Sequence, residues 1–493
     1  MGNKAIVIGA GIAGIASAIR LAVKSYDVTV YEAFENAGGK LNQHIRDGFR
    51  FDRGPSLFTL PHLVDELFEL CGEKPEAYFT YSRLKNTCKY FFEDGCILNA
   101  WSDVQDFGDE ISSKTNDKAN TLFRFLQKSR FLFDVTSIPF LFSSFSKVQN
   151  YFTSAYFKAF INLPRINALR SMHSINAGYF RDARLVQLFD RYATYNGSNP
   201  YKAPATLNVI SHLEHNTGAF LPDKGMYSIT ESLVKLAEKQ GVRFVYNSRV
   251  EKILHSNGKV KGVRLADHQA DAEVVVSDSD ITHLYKNLLP DVKMPQKLVK
   301  GERSTSALIF YWGIKSSFPE LELHNILFSQ DYENEFTHLF KEKEICEDPT
   351  VYIFISCKQV KRDAPEGCEN WFVMVNAPEN TGQDWDGMII KARQNIKAKI
   401  NRMLHTNIDD HILFEDILDP LMIEKRTSSY HGSLYGNSSN NRMSAFSRHP
   451  NFFRKIRGLY FTGGSVHPGG GIPLCLASAK IAMNEVKTIE TNE

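Results

Sequence analysis

The chain has 493 residues, enough to bury more than one core, and 58 Lys plus Arg nearly balance 56 Asp plus Glu for a formal net charge of +2. No block of like charge occurs, which argues against nucleic acid as a partner. Seven cysteines, an odd number with no CxxC pair, read as reduced thiols rather than a disulfide frame or a metal site. The first predicted element is the apolar strand Ala5-Ile6-Val7-Ile8, and no secretory signal is expected ahead of it. It runs into Gly9, Gly11 and Gly14, with Ile12 and Ala13 opening a helix. The first glycine makes the turn, the second admits a pyrophosphate to backbone N–H groups, and the third lets helix and strand pack closely. That pattern predicts dinucleotide binding at a positive helix end. A second strand, Asp27–Tyr31, leads to Glu32, whose carboxylate accepts from a ribose 2′-OH and repels a 2′-phosphate.

Gly38-Gly39-Lys40-Leu41 follows, then a stretch ending in Asp52-Arg53-Gly54-Pro55-Ser56. Gly39 permits close backbone approach, and Lys40 offers a point charge to phosphate. Residues 105–185 read as helical, with Phe131, Phe140, Phe142, Tyr151, Phe157 and Phe160 interleaved with Lys128, Arg130, Lys147, Lys158, Arg165 and Arg170. Such a face suits a helix lying in a bilayer surface, and a lid with buried aromatics gives the same pattern. The 35 Phe and 20 Tyr likewise fit either a large apolar cavity or an aromatic core. The most apolar stretch, 135–146, is well short of the ~20 residues of a membrane span. His212, Glu214 and His215 lack the spacing of a zinc helix.

Beyond the helices, 241–247 reads as a strand, Asn257-Gly258 as a hairpin turn, and 271–276 as another strand. Runs beginning at Ala307, Val351 and Trp371 predict a second, mostly antiparallel sheet. The last strand, 458–462, enters Gly463-Gly464, and Gly469-Gly470-Gly471 with Ile472-Pro473 then opens an apolar helix. Three consecutive glycines before a helix form a floor free of side chains, suited to a flavin ring.

A Gly-Gly-basic stretch after the second strand resembles the FAD proteins of the glutathione-reductase-like superfamily, which more often carry Arg where Lys40 stands. Over nearly its whole length the chain is more specifically similar to the bacterial-type phytoene/carotenoid desaturase family. The likeness lies in 52–56, Arg191-Tyr192-Ala193-Thr194-Tyr195-Asn196-Gly197, Gly218 through Gly225-Met226, 363–367 and His467-Pro468-Gly469-Gly470-Gly471-Ile472-Pro473. Gly463-Gly464-Ser465-Val466-His467 and Leu474-Cys475-Leu476 resemble the flavobacterial 1′-hydroxy-γ-carotene 3,4-desaturase branch more than the phytoene branch.

The resemblance implies an α/β fold: a Rossmann-like FAD-binding domain (1–85, 236–300, 452–493) and an inserted α+β substrate domain (86–235, 301–451). A helical, membrane-facing region lies at 105–185. It implies non-covalent FAD held by Gly9, Gly11, Ile12, Ala13, Gly14, Glu32, Gly38, Gly39, Lys40, Leu41, Gly54, Pro55, Ser56, Val250, Gly463, Gly464, Gly471, Ile472 and Pro473. Val250 would touch the adenine through its backbone. An apolar carotenoid substrate, a cytoplasmic enzyme peripherally bound to membrane, and quinone or oxygen as final acceptor follow from the same likeness. So does the reaction: hydride leaves a saturated C–C bond beside a polyene for flavin N5, then a proton departs. Asp182, His467 and Arg53 are the candidate catalytic residues, although Asp182 reads equally well as a carboxylate paired with Arg181 or Arg184. Arg53 replaces the small residue usual in the family and sets a charge near the flavin face. Phytoene desaturation, carotenoid isomerisation, amine or protoporphyrinogen oxidation, and prenyl-lipid carriage on the same scaffold are the competing readings.

Overall fold

The computed structural model describes residues 3–144, 148–441 and 448–489. Lys147, one of the interleaved basic residues, and the end of the 135–146 stretch lie outside them. Five parallel strands form one sheet, in the order Leu459–Phe461, Val274–Ser277, β1 (Lys4–Ile8), β2 (Asp27–Tyr31) and Arg243–Val245. Helix α1 (Ile12–Val23) buries Ile12 through Leu21 against this sheet and against the C-terminal helix Ile472–Met483. Because every strand points the same way, segments hundreds of residues apart in sequence all turn at one carboxyl edge. In open α/β sheets that edge is where ligands bind.

A seven-stranded mixed sheet stands beside the first, ordered Ile412–Leu418, Ser306–Ile314, Glu369–Ala377, Val351–Ile355, His324–Leu327, Asn86–Phe91 and Ile97–Trp101. The sequence reading anticipated the runs from Ala307, Val351 and Trp371. The others have too little alternation of their own to announce themselves, and one pairing, His324–Leu327 with Asn86–Phe91, is parallel. Asn257 (φ +50°) and Gly258 (φ +68°) make the expected hairpin turn.

Helices follow at Val104–Lys114, Ala119–Leu141, Ser154–Ile161, Met172–Tyr179 and Ala183–Asp190. Among the described residues no helix is long and apolar enough to cross a membrane. Three of the segments that carried the family likeness meet in one clamp. Arg50 donates to Asp52 at 2.5 Å and to Asp363 at 3.0 Å, while Asp52 accepts the backbone N–H groups of Met226 and Tyr227, both at 2.9 Å. Asp52 therefore caps the helix Tyr227–Lys239 and fixes the approach of Arg53 and Gly54.

Candidate active site

The two glycine-rich ends of the chain meet at the carboxyl edge of the parallel sheet, and Asp278 lies between them. A Cβ on Gly11 would stand 2.4 Å from Asp278 Oδ2, and one on Gly463 2.4 Å from Asp278 Oδ1. The third glycine is equally constrained, since a Cβ on Gly14 would meet the Gly9 carbonyl oxygen at 2.1 Å. Gly38 donates its N–H to Ala10 O at 2.8 Å, and a Cβ on Gly39 would touch Gly11 Cα at 3.4 Å. Gly54 packs on the Lys40 carbonyl so closely that a Cβ there would lie at 1.9 Å. Gly464 faces Gly470, with 3.1 Å left for a Cβ, whereas nothing lies within 4 Å of the Cβ position at Gly471. Backbone thus lines a cradle from Gly9 to Gly471: side chains at Gly11, Gly14, Gly38, Gly54 or Gly463 would collide with protein atoms already in place, whereas the Cβ position at Gly471 is open. This is the shape an FAD molecule requires, with phosphates at the α1 N-terminus.

Around the cradle the structure places several residues deep in the molecule that still keep accessible surface, as cavity walls do: Lys40, Asp278, Tyr435, Arg448 and Cys475. Asp278 accepts the Gly14 N–H at 3.0 Å. Burial pushes its carboxyl up to about 7, against the lowering effect of that hydrogen bond. Glu32 is buried too. It accepts from Ala10 N at 2.7 Å and Phe34 N at 3.0 Å, and burial raises its pKa above the ordinary value. Val250 is buried beneath the sheet, so only its backbone is available to a ligand. Lys40 lies within reach, yet its ammonium donates to the Leu434 carbonyl at 2.6 Å, and burial lowers its pKa. It ties the cradle to the 434–437 loop rather than offering a free cation.

The catalytic candidates fare differently. Asp182 caps the helix Ala183–Asp190. Its oxygens accept from Arg184 N (3.0 Å), Arg184 Nε (2.9 Å), Arg184 Nη2 (2.7 Å) and Asn116 N (3.2 Å). The Arg184 hydrogen bonds hold its carboxyl below the usual carboxylate range. An acid so occupied is a helix cap and an ion pair, the reading the sequence offered beside a catalytic one. His467 lies beside the C-terminal glycines as expected, but burial pushes its imidazole down to about 4. The neutral ring contacts the Ser143 carbonyl at 2.8 Å through Nε2, which must carry the hydrogen to donate. His467 is thereby a tie between the glycine loop and the segment just after the helix Ala119–Leu141. Arg53 bonds His44 Nδ1 at 3.1 Å, and His44 Nε2 in turn contacts Asp416 at 2.8 Å. Ser56 is bonded to Tyr352 at 2.7 Å, and Tyr352 to His324 at 2.7 Å.

The chain is a member of the flavin-containing amine oxidoreductase family. The family model matches residues 12–487. A 1-hydroxycarotenoid 3,4-desaturase from Flavobacterium sp. (strain P99-3) is 49% identical over 97% of this chain and 98% of its own length. A 4,4′-diapolycopene oxygenase from Methylomonas sp. is 29% identical, covering 98% of each. Among solved structures, an oxidoreductase from Methanosarcina mazei superposes with a TM-score of 0.65 at 14% identity, over 98% of this chain and 100% of the other. Cyclohexylamine oxidase from Brevibacterium oxydans IH-35A gives 0.60 at 14%, over 98% of each. These two likenesses establish the fold of this flavin amine oxidoreductase. The family uses FAD, and the glycine cradle fits it.

Sequence reasoning missed Asp278, Tyr435, Arg448 and Cys475. Asp278 had a usable signal, because it directly follows a strand parallel to β1 and so had to reach the same edge. Tyr435 and Arg448 carry no motif, and Cys475 stood only within the Leu474-Cys475-Leu476 likeness. A half-open cleft of about 330 Å³, lined by Arg249, His283, Lys286, Asn287, Glu424 and Tyr430, opens near Glu32, and its charged lining does not suit a polyene.

Proposed function

We propose that this flavoprotein introduces a C=C bond at the 3,4-position of a hydroxylated or monocyclic carotenoid. The observation that carries this reading is the 49% identity to a 1-hydroxycarotenoid 3,4-desaturase, sustained over 97% of the chain. When bound, FAD supplies the two-electron acceptor for breaking the C–H bond. The chain's share is binding, orientation and exclusion of water. Gly9, Gly11, Gly14, Gly38, Gly39, Gly54, Gly463, Gly464 and Gly471 let the backbone segments of the cradle pack closely enough to hold the cofactor, and Glu32 serves its ribose. Arg53, Ser56 and Tyr352 border the space in front of the cradle.

The division into an FAD-binding domain and an inserted substrate domain accords with the two sheets. The aromatic face of residues 151–170 serves as the entrance from the lipid phase. Phe152 is 86% exposed and Phe160 73%, with Phe157, Ile161, Leu163 and Leu169 also exposed among Lys158, Arg165 and Arg170. Apolar rings bordered by cations match an interfacial docking surface. Phe140 and Phe142, which the sequence also pointed to, are half-buried and sit behind this face. Electrons pass on to quinone or oxygen.

The test is expression in a host that accumulates defined 1-hydroxylated carotenes, with pigments resolved by chromatography and mass. A product lighter by two hydrogens and absorbing further to the red is expected. Unchanged pigment alongside flavin-loaded protein would overturn the reading. An isomer of equal mass or an oxygen-containing product would replace it with isomerase or oxygenase chemistry.

A further inference from the structure

Arg448 is a half-buried cation, set deep in the molecule, to which no carboxylate among the described residues bridges. Its guanidinium donates to Tyr435 O (3.1 Å), Gly464 O (3.3 Å), Asn196 Oδ1 (3.2 Å) and Asn437 O (3.4 Å), all of them neutral acceptors. Among the described residues no Asp or Glu bridges to it, and the neighbouring segment 442–447 contains none. Burial lowers its pKa to about 10, which still leaves it charged at neutral pH. Among the described residues Arg20 has Glu66, Arg50 has Asp52 and Asp363, and Arg191 has Glu214, whereas Arg53 and Arg303, like Arg448, bridge to no carboxylate. Arg303 is the nearest comparison, and it feels Asp280 and Glu379. A lone buried charge is costly unless something of opposite sign visits it.

Its position says what visits. Arg448 grips the carbonyl of Gly464, and a Cβ on Gly469 would lie 3.3 Å from the guanidinium carbon. It therefore stands at the C-terminal glycine floor, the segment whose consecutive glycines suit the flavin ring. A carotenoid carries no negative charge. Two electrons and one proton, arriving together as hydride from the substrate C–H bond, add one negative charge to the flavin, while the second proton leaves for solvent.

We infer that Arg448 is the counter-charge for the reduced flavin, holding the negative charge gained on two-electron reduction and raising the cofactor's reduction potential. The inference rests on FAD occupying the cradle, and flavin content reports on that separately. The readouts are the midpoint potential and the affinity for sulfite, which adds to flavin as an anion. Arg448→Gln is expected to weaken sulfite binding at least tenfold and to lower the potential by about 30 mV for each tenfold loss in preference for the reduced form. Arg448→Lys, which keeps the charge, should stay close to the natural enzyme. Unchanged potential and sulfite affinity in Arg448→Gln would overturn the proposal. So would weaker binding of oxidised FAD with no change in potential, because that result assigns the charge to the pyrophosphate.

The unaltered holoenzyme gives an independent check, should Arg448→Gln fail to fold. On the acid side of neutrality, where free flavin takes up two protons on reduction, the potential should fall by about 30 mV per pH unit, the slope for one proton per two electrons. Twice that slope means a neutral reduced flavin and overturns the proposal.

Discussion

The carboxyl edge of the parallel sheet and the helices between Val104 and Asp190 are built on opposite terms. At the edge, function is made by removing side chains: a methyl group at Gly11, Gly14, Gly54 or Gly463 would collide with an atom already in place. In the helices the side chains are in surplus, with Phe152 and Phe160 standing out of the fold and a reactive-looking acid, Asp182, spent on a cap. Constraint on backbone marks the first region, and unpartnered apolar surface marks the second.

Gly14→Ala strikes the edge hardest. Its Cβ meets a backbone oxygen that cannot rotate away, so loss of bound FAD and destabilisation of about 3 kcal/mol or more are expected, read from flavin content and denaturant unfolding. A flavin-replete, stable Gly14→Ala protein would mean that the cradle is looser than the contacts say.

Acid should act at the edge and beyond it at once, because buried histidines lie beside the C-terminal glycines (His449 and His467), against the helices (His215, on Phe107 and Phe189) and in the second sheet (His324). Burial holds His215, His449 and His467 near 4 and His324 near 3, against an ordinary value of 6.5. Between 6.5 and about 4 the unfolded chain binds protons that the folded chain refuses, so stability falls as pH drops through that window. Each histidine contributes up to about 1.4 kcal/mol per pH unit. Unfolding midpoints measured across the window should fall steeply, and a flat profile would show that these rings are wetter than their burial implies.

Changing Phe152, Phe157 and Phe160 together to Ser should lower partitioning onto anionic vesicles at least tenfold, since each inserted ring is worth about 1.5–3 kcal/mol. Flavin content should not move. If vesicle binding persists, the helical face is not the docking surface and the contrast between the regions loses its functional side.

Asp182→Asn gives the smallest effect. A loss of about 1–2 kcal/mol is expected from the cap and its Arg184 pair, with flavin spectrum and pigment conversion intact. The depressed carboxyl contributes stability above its ordinary value and loses it as pH falls through the lowered one. The difference between Asp182→Asn and the unaltered protein should therefore shrink in acid. Abolished conversion in a folded, yellow variant would return Asp182 to the reaction.

By itself the sequence determined the parallel FAD-binding scaffold, because Gly9, Gly11, Gly14, Gly463, Gly464 and Gly471 sit where strands end and helices begin, and only glycine satisfies that backbone. It determined the aromatic and basic character of 105–185 as well. It left open which rings would be exposed, since Phe142 and Phe152 are equally apolar and only packing separates them. Tertiary structure alone decided the roles of charged groups. The Asp182 carboxyl read equally as a catalytic acid or as one paired with Arg181 or Arg184, and only the fold shows Arg184 and Asn116 bonded to it; nothing in the sequence marks Arg448 for its half-buried position with no acid bridging to it among the described residues. A residue's charge is written in its type, but the partner that neutralises it, or fails to, comes from elements distant in the chain.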